Sequence, residues 1–158
     1  MKKLFVLLMI LCLMIPCAHA DKLEDFIAKY SEIAALYSAP DISTATEKMA
    51  NGSKVYQFSS GVYLIIIRNA KQDMEGVVVL GDEKCAGDML AAIVCTIVAF
   101  DQEENIDIIF QRVMSLYLDY RDHKKDFSYS YVTDKGKIGV TMEFTSSRYQ
   151  TIIGHTGL

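Results

Sequence analysis

Between Met89 and Phe100 the chain places one polar residue, Thr96, in twelve positions. A segment apolar on every side has to be surrounded by protein or lipid. Twelve residues of helix span roughly 18 Å, short of the roughly 30 Å hydrocarbon core of a bilayer. The run is therefore expected to be a buried helix, with Asp88 at its N-terminus and Asp101 marking its exit. The β-branched residues of "AIVCTIVAF" favour strand as the competing reading. Either way, the run is expected to be buried.

Two segments have the spacing of covering helices. Leu23, Phe26, Ile27, Tyr30, Ile33, Ala34 and Tyr37 recur at helical intervals, and the segment stops at Ala39-Pro40. Its polar face mixes Lys22 and Lys29 with Glu24, Asp25 and Glu32, which fits docking on a core better than lying on a membrane. Ile106, Ile109, Phe110, Val113, Leu116, Tyr117 and Tyr120 form a second stripe, ended by "DHKKD". After the first helix comes "DISTATEKMANG". Thr44 with Glu47 matches a capping box and Asn51-Gly52 a helix stop, which predicts a short helix over 45–50, with loop as the alternative.

The remaining blocks read as strands. "KVYQFSS", "GVYLIIIRN" and "GVVVL" predict three, the last two joined by the polar loop "NAKQDMEG". The unbroken run Val62–Ile67 predicts a strand covered on both faces or central in its sheet. Near the C-terminus, Phe127, Tyr129 and Tyr131 alternate with small polar residues, as do Ile138, Val140, Met142 and Phe144. With Asp134-Lys135-Gly136 as the turn, this is a hairpin with one apolar face. "RYQTIIGHTGL" offers a further short strand. The expected architecture is a single small α+β domain, an antiparallel β-sheet packed by helices on one face, in the order α-βββ-αα-ββ. In outline this resembles small exported α+β domains of the inhibitor and immunity type, a likeness of architecture that carries no function.

The first 20 residues, "MKKLFVLLMILCLMIPCAHA", read differently. Lys2 and Lys3 precede an apolar stretch from Leu4 to Ile15, Pro16 breaks it, and Ala18-His19-Ala20 suits a cleavage site. This is the pattern of a secretory signal peptide cut before Asp21, leaving 21–158 as one domain. Pro16 directly before Cys17 is a poor fit to lipoprotein processing. The expected location is periplasmic or secreted, with no stable membrane insertion after cleavage. The whole chain carries a net charge of −4, and loss of Lys2 and Lys3 makes the remainder more acidic. That balance argues against nucleic acid and anionic lipid as partners, since both require a basic surface.

Chemistry-bearing motifs are sparse. No Gly-x-Ser-x-Gly elbow and no phosphate-cradling glycine loop is present. After cleavage two histidines remain, His123 and His155. Asp119 and His123, four apart, would share a helix face; alone they make a weak metal site, and a histidine near a helix C-terminus is the simpler reading. Asp101, Glu103, Glu104 and Asp107 lack the calcium-loop pattern and read as an acidic helix start. No catalytic residue, cofactor or metal is assigned.

Cys85 and Cys95 bracket the apolar run. Their spacing excludes a Cys-x-x-Cys redox pair, and two thiols without adjacent histidines do not make a zinc site. Export favours pairing them, so a disulfide is expected. Ten residues of helix would separate them by about 15 Å, against the roughly 7 Å between Cα atoms that a bridge allows. The bridge therefore requires a non-helical Cys85. Tyr129 and Tyr131 are candidates for an interaction surface, since tyrosine joins large contact area to a polar tip; packing under a helix is the other reading.

Three functional readings follow. The first is an exported non-catalytic binding or interaction protein, inhibitor- or immunity-like, with a protein partner. The second is a carrier of a small apolar ligand, held by the apolar strands and the 89–100 run. The third is an enzyme with an unrecognised site.

Overall fold

The computed structural model describes residues 22–101, 104–123, 125–133 and 136–155, so the leader and its cleavage site lie outside the described residues. The first apolar stripe folds as α1 (Lys22–Tyr37), with Leu23, Phe26, Tyr30, Ile33 and Ala34 buried. The Tyr30 hydroxyl donates to the Pro40 carbonyl at 3.1 Å and pins the chain where it leaves the helix. A 3-10 turn (Ile42–Thr44) follows, capped by Asp41, whose carboxylate accepts from the Ser43 N–H at 2.9 Å.

Four strands come next: β1 (Thr46–Ala50), β2 (Ser53–Gln57), β3 (Tyr63–Arg68) and β4 (Met74–Gly81). Two helices follow, α2 (Ala86–Phe100) and α3 (Ile106–His123), then β5 (Phe127–Val132), β6 (Ile138–Phe144) and β7 (Tyr149–His155). The seven strands form one sheet in the order β1-β2-β3-β4-β7-β6-β5, and every neighbouring pair is antiparallel. The architecture is the expected small α+β domain with an antiparallel sheet.

The helix expected over 45–50 is instead strand β1. Asn51 (φ 50°) and Gly52 (φ 80°) make a two-residue turn with both residues left-handed, and Ala50 pairs with Ser53 across it. Asn-Gly in that conformation matches strand twist, so the hairpin prevails over the local capping signal. The C-terminal segment is a full strand, and β7 sits between β4 and β6 in the middle of the sheet.

The 89–100 run is α2, and it is the centre of the molecule. It packs against β4 and β7 beneath it and against α1 and α3 beside it. Its lone polar side chain, Thr96, is fully buried and donates to the Ala92 carbonyl at 2.7 Å, so no hydroxyl is left unpaired. Among the described residues no helix is long and apolar enough to cross a membrane.

Sheet parity separates two faces. Tyr56, Leu64, Val79, Thr151, Met142 and Tyr129 lie in one cross-strand row toward the helices. Val55, Ile65, Val78 and Ile152 form a row on the opposite face, where they are half-buried or, for Ile152, exposed. Among the described residues β3 is therefore covered on one face only; of the two readings of Val62–Ile67 the structure gives the strand inside its sheet, paired with β2 and β4, and not the strand covered on both faces. Its outward Ile65 lies opposite Val55 and Val78, a row of β-branched side chains, whereas Ile67 lies opposite Gly76.

Candidate functional site

The expected disulfide is absent, and Cys85 and Cys95 are separate buried thiols. Cys85 closes a 3-10 turn (Glu83–Cys85) and then caps α2, so the non-helical excursion that a bridge needs does not occur. Its sulfur turns back toward β4, where it accepts from the Asp82 N–H at 3.2 Å. Cys95 sits more than two turns further along α2. Burial pushes the Cys95 thiol up to about 12 and raises that of Cys85 as well. In both, burial disfavours the thiolate, the form that acts as nucleophile or metal ligand. Maleimide labelling of the processed chain is expected to be slow in the native state. Without reductant, denaturation should make both cysteines reactive; a denatured chain with no reactive thiol would restore the bridge.

Asp119 and His123 do meet. His123 Nδ1 lies 2.8 Å from the Asp119 carbonyl and 3.1 Å from its carboxylate, at the fully solvated end of α3. The carbonyl first, and then the Asp119 charge, raise the histidine above its ordinary 6.5. This is a helix-terminal ion pair. Among the described residues no cluster of three or more metal-ligating side chains occurs. Asp101 is buried and lies 3.8 Å from the Lys137 ammonium, whereas Asp107 stands in the first turn of α3. Glu103 lies outside the described residues.

Tyr129 and Tyr131 fall on β5, the strand that ends the sheet, and both point to the helix side opposite Met142 and Val140. Phe127, Tyr129 and Tyr131 make a continuous ladder, with ring centroids 6.3 Å and 5.9 Å apart. The Arg112 guanidinium of α3 covers the Tyr131 ring at 4.9 Å, which leaves Tyr131 half-buried, while Tyr129 is 41% exposed. The two readings of these tyrosines thus divide between the residues: Tyr131 packs under a helix and Tyr129 offers surface.

A groove that the sequence reading did not single out lies on the other side of α3. Tyr37 from the end of α1, Ala91, Val94 and Cys95 from α2, and Ile106, Asp107 and Phe110 from the start of α3 enclose about 270 Å³. The cause is local. α1 and α3 both lie against α2, and between them α2 presents Ala91, a side chain too short to fill the gap. Tyr37 (53% exposed) and Phe110 (50%) form a mainly apolar rim over an apolar floor, and among the described residues Asp107 is the one carboxylate that lines it. Phe110 belongs to the apolar stripe of α3, yet half of it stays exposed. An apolar stripe wider than the surface it covers is the one sequence signal that points toward such a groove, and it does not say where the groove lies.

A second recess of about 260 Å³, at the start of α1, is lined by Lys22, Asp25, Phe26 and His155 among others. There the His155 ring stands edge-on to Phe100 at 5.4 Å, and among the described residues no hydroxyl or thiol lines the recess beside it. Compared with protein-family models, with curated proteins and with solved structures, the chain finds no match.

Proposed function

We propose that the protein is an exported, non-catalytic binding protein of the periplasm or the extracellular space, and that it takes an apolar anchor of a partner protein into the groove between α1 and α3. The observation that carries this reading is a rim of two half-exposed aromatic side chains, Tyr37 and Phe110, over a floor of small apolar ones. Exposed apolar surface with a polar surround is where proteins meet. The volume favours a side chain over a whole ligand. It falls just below the roughly 300 Å³ at which ligand pockets begin, and the groove is open along its outer side. Asp107 on the rim and the net acidity of the chain suit a partner with Lys or Arg beside its anchor. The leader pattern of residues 1–20 supports export. The non-catalytic reading is supported by two neutral thiols, a histidine tied to Asp119 and a histidine packed on Phe100.

A photo-cross-linking residue placed at Phe110 in the producing cell is expected to give one discrete adduct. The same residue at Lys71, on the β3–β4 turn, gives none. Ala91→Phe fills the groove from its floor and is expected to abolish the Phe110 adduct while the circular dichroism melt stays cooperative. Equal adducts from positions 110 and 71, or an adduct indifferent to Ala91→Phe, would overturn the reading. Intact mass of the exported chain, starting at Asp21, checks the location.

A further inference from the structure

We infer that β5 is a self-pairing edge: two copies of the chain join β5 to β5 and continue one sheet across a two-fold axis. The two ends of the sheet differ in kind. β1 is a guarded edge, five residues long and fully exposed; its Glu47 pairs with Lys54 at 3.0 Å and its Lys48 bonds Gln57 at 3.0 Å. Charges on a short strand are the usual protection of an edge. β5 has none of this. Its six residues, Phe-Ser-Tyr-Ser-Tyr-Val, include no charge and no proline, and its register with β6 runs from Phe127–Phe144 to Val132–Gly139 without a bulge.

The backbone of β5 is arranged to accept another strand. The Thr133 N–H donates to the Ile138 carbonyl at 2.9 Å, which identifies residues 133 and 138 as a hydrogen-bonded pair. Alternation along an antiparallel ladder then turns the N–H and C=O groups of Tyr131, Tyr129 and Phe127 toward β6. Those of Ser128, Ser130 and Val132 face outward.

The side chains choose the occupant. Aromatic and serine residues alternate about Tyr129, so the strand is its own antiparallel complement. In the register centred there, Tyr129 meets Tyr129 of the second copy and Phe127 meets its Tyr131. These are the pairs without hydrogen bonds, in which side chains approach closest and aromatic pairs contribute most. Ser128 exchanges backbone bonds with Ser130 of the second copy. No like charges oppose one another, and the two-fold axis keeps the helices of both copies on one face. Tyr129, 41% exposed in the single chain, loses that exposure in the pair.

This surface is separate from the groove, so either can fail without the other. Sedimentation velocity of the processed protein over a concentration series is expected to show a monomer–dimer equilibrium. Tyr129→Lys sets two ammonium groups face to face and should raise the dimer dissociation constant by about tenfold or more. Tyr129→Cys should form a covalent dimer under mild oxidation, whereas Met49→Cys on β1 should not. A protein that stays monomeric throughout, with no covalent dimer from Tyr129→Cys, overturns the inference. So does a dimer unaffected by Tyr129→Lys, or a monomer whose position 129 cross-links only to a different protein.

Discussion

Phe144→Ala is expected to lower the unfolding free energy by about 3–5 kcal/mol, the range for truncating a fully buried aromatic side chain. Phe144 is fully buried at the end of β6. Its ring lies 5.2 Å from Tyr149, 5.5 Å from Tyr120 and 6.0 Å from Tyr117, with Phe127 at 6.5 Å. These rings come from β7, α3 and β5, so one side chain seats the last helix on three strands. The neighbours are held by their own packing and cannot collapse into the space, which puts the cost above simple transfer. Urea denaturation checks it: the midpoint should fall with little change in slope. A loss below about 1 kcal/mol would show that α3 is held elsewhere, since surface-like substitutions fall in that range.

Gly76→Ala is expected to destabilise by about 1–3 kcal/mol, although it adds a single methyl group. Gly76 lies in β4 opposite Gly154 of β7. A Cβ there would stand 2.7 Å from the Ile153 carbonyl oxygen, a backbone atom that cannot swing aside. The two strands would have to part at the middle of the sheet. Gly87→Ala is the matched control. It lies in the first turn of α2 with nothing within 4 Å of its would-be Cβ, and it should stabilise by up to about 1 kcal/mol through helix propensity. Thermal melts of the two variants should move in opposite directions. Melts that moved together would show that the close approach of β4 and β7 does not decide the cost.

Both predictions depend on β7, and β7 is where sequence reading was weakest. "YQTIIGH" has the composition of a short edge strand, yet it pairs on both sides, with β4 and β6. Nothing local marks that. The 45–50 segment failed in the opposite sense: Asn51-Gly52 was read as a helix stop after a capping box, and pairing with β2 makes it the turn of a hairpin. The cysteine bridge failed on geometry. The expectation of export supplied a reason to pair Cys85 with Cys95, but α2 begins at Ala86 and turns the Cys85 sulfur toward the end of β4. The place of Tyr129 on a strand with alternating faces was legible, because its alternation with serine is visible in the sequence. The groove was not found, because Ala91 is unremarkable until two helices stand on either side of it.

The sequence by itself determined the elements that rest on periodicity: the buried helix over 89–100, the two amphipathic helices, the terminal hairpin and the α+β class. Those follow from backbone geometry, which repeats every 3.6 or two residues and is written along the chain. The tertiary structure alone decided which strands are neighbours, which two strands end the sheet and where α2 shows its small side chain between α1 and α3. Such features are set by the spacing of elements far apart in sequence, where shape and hydrogen-bond register override local preference.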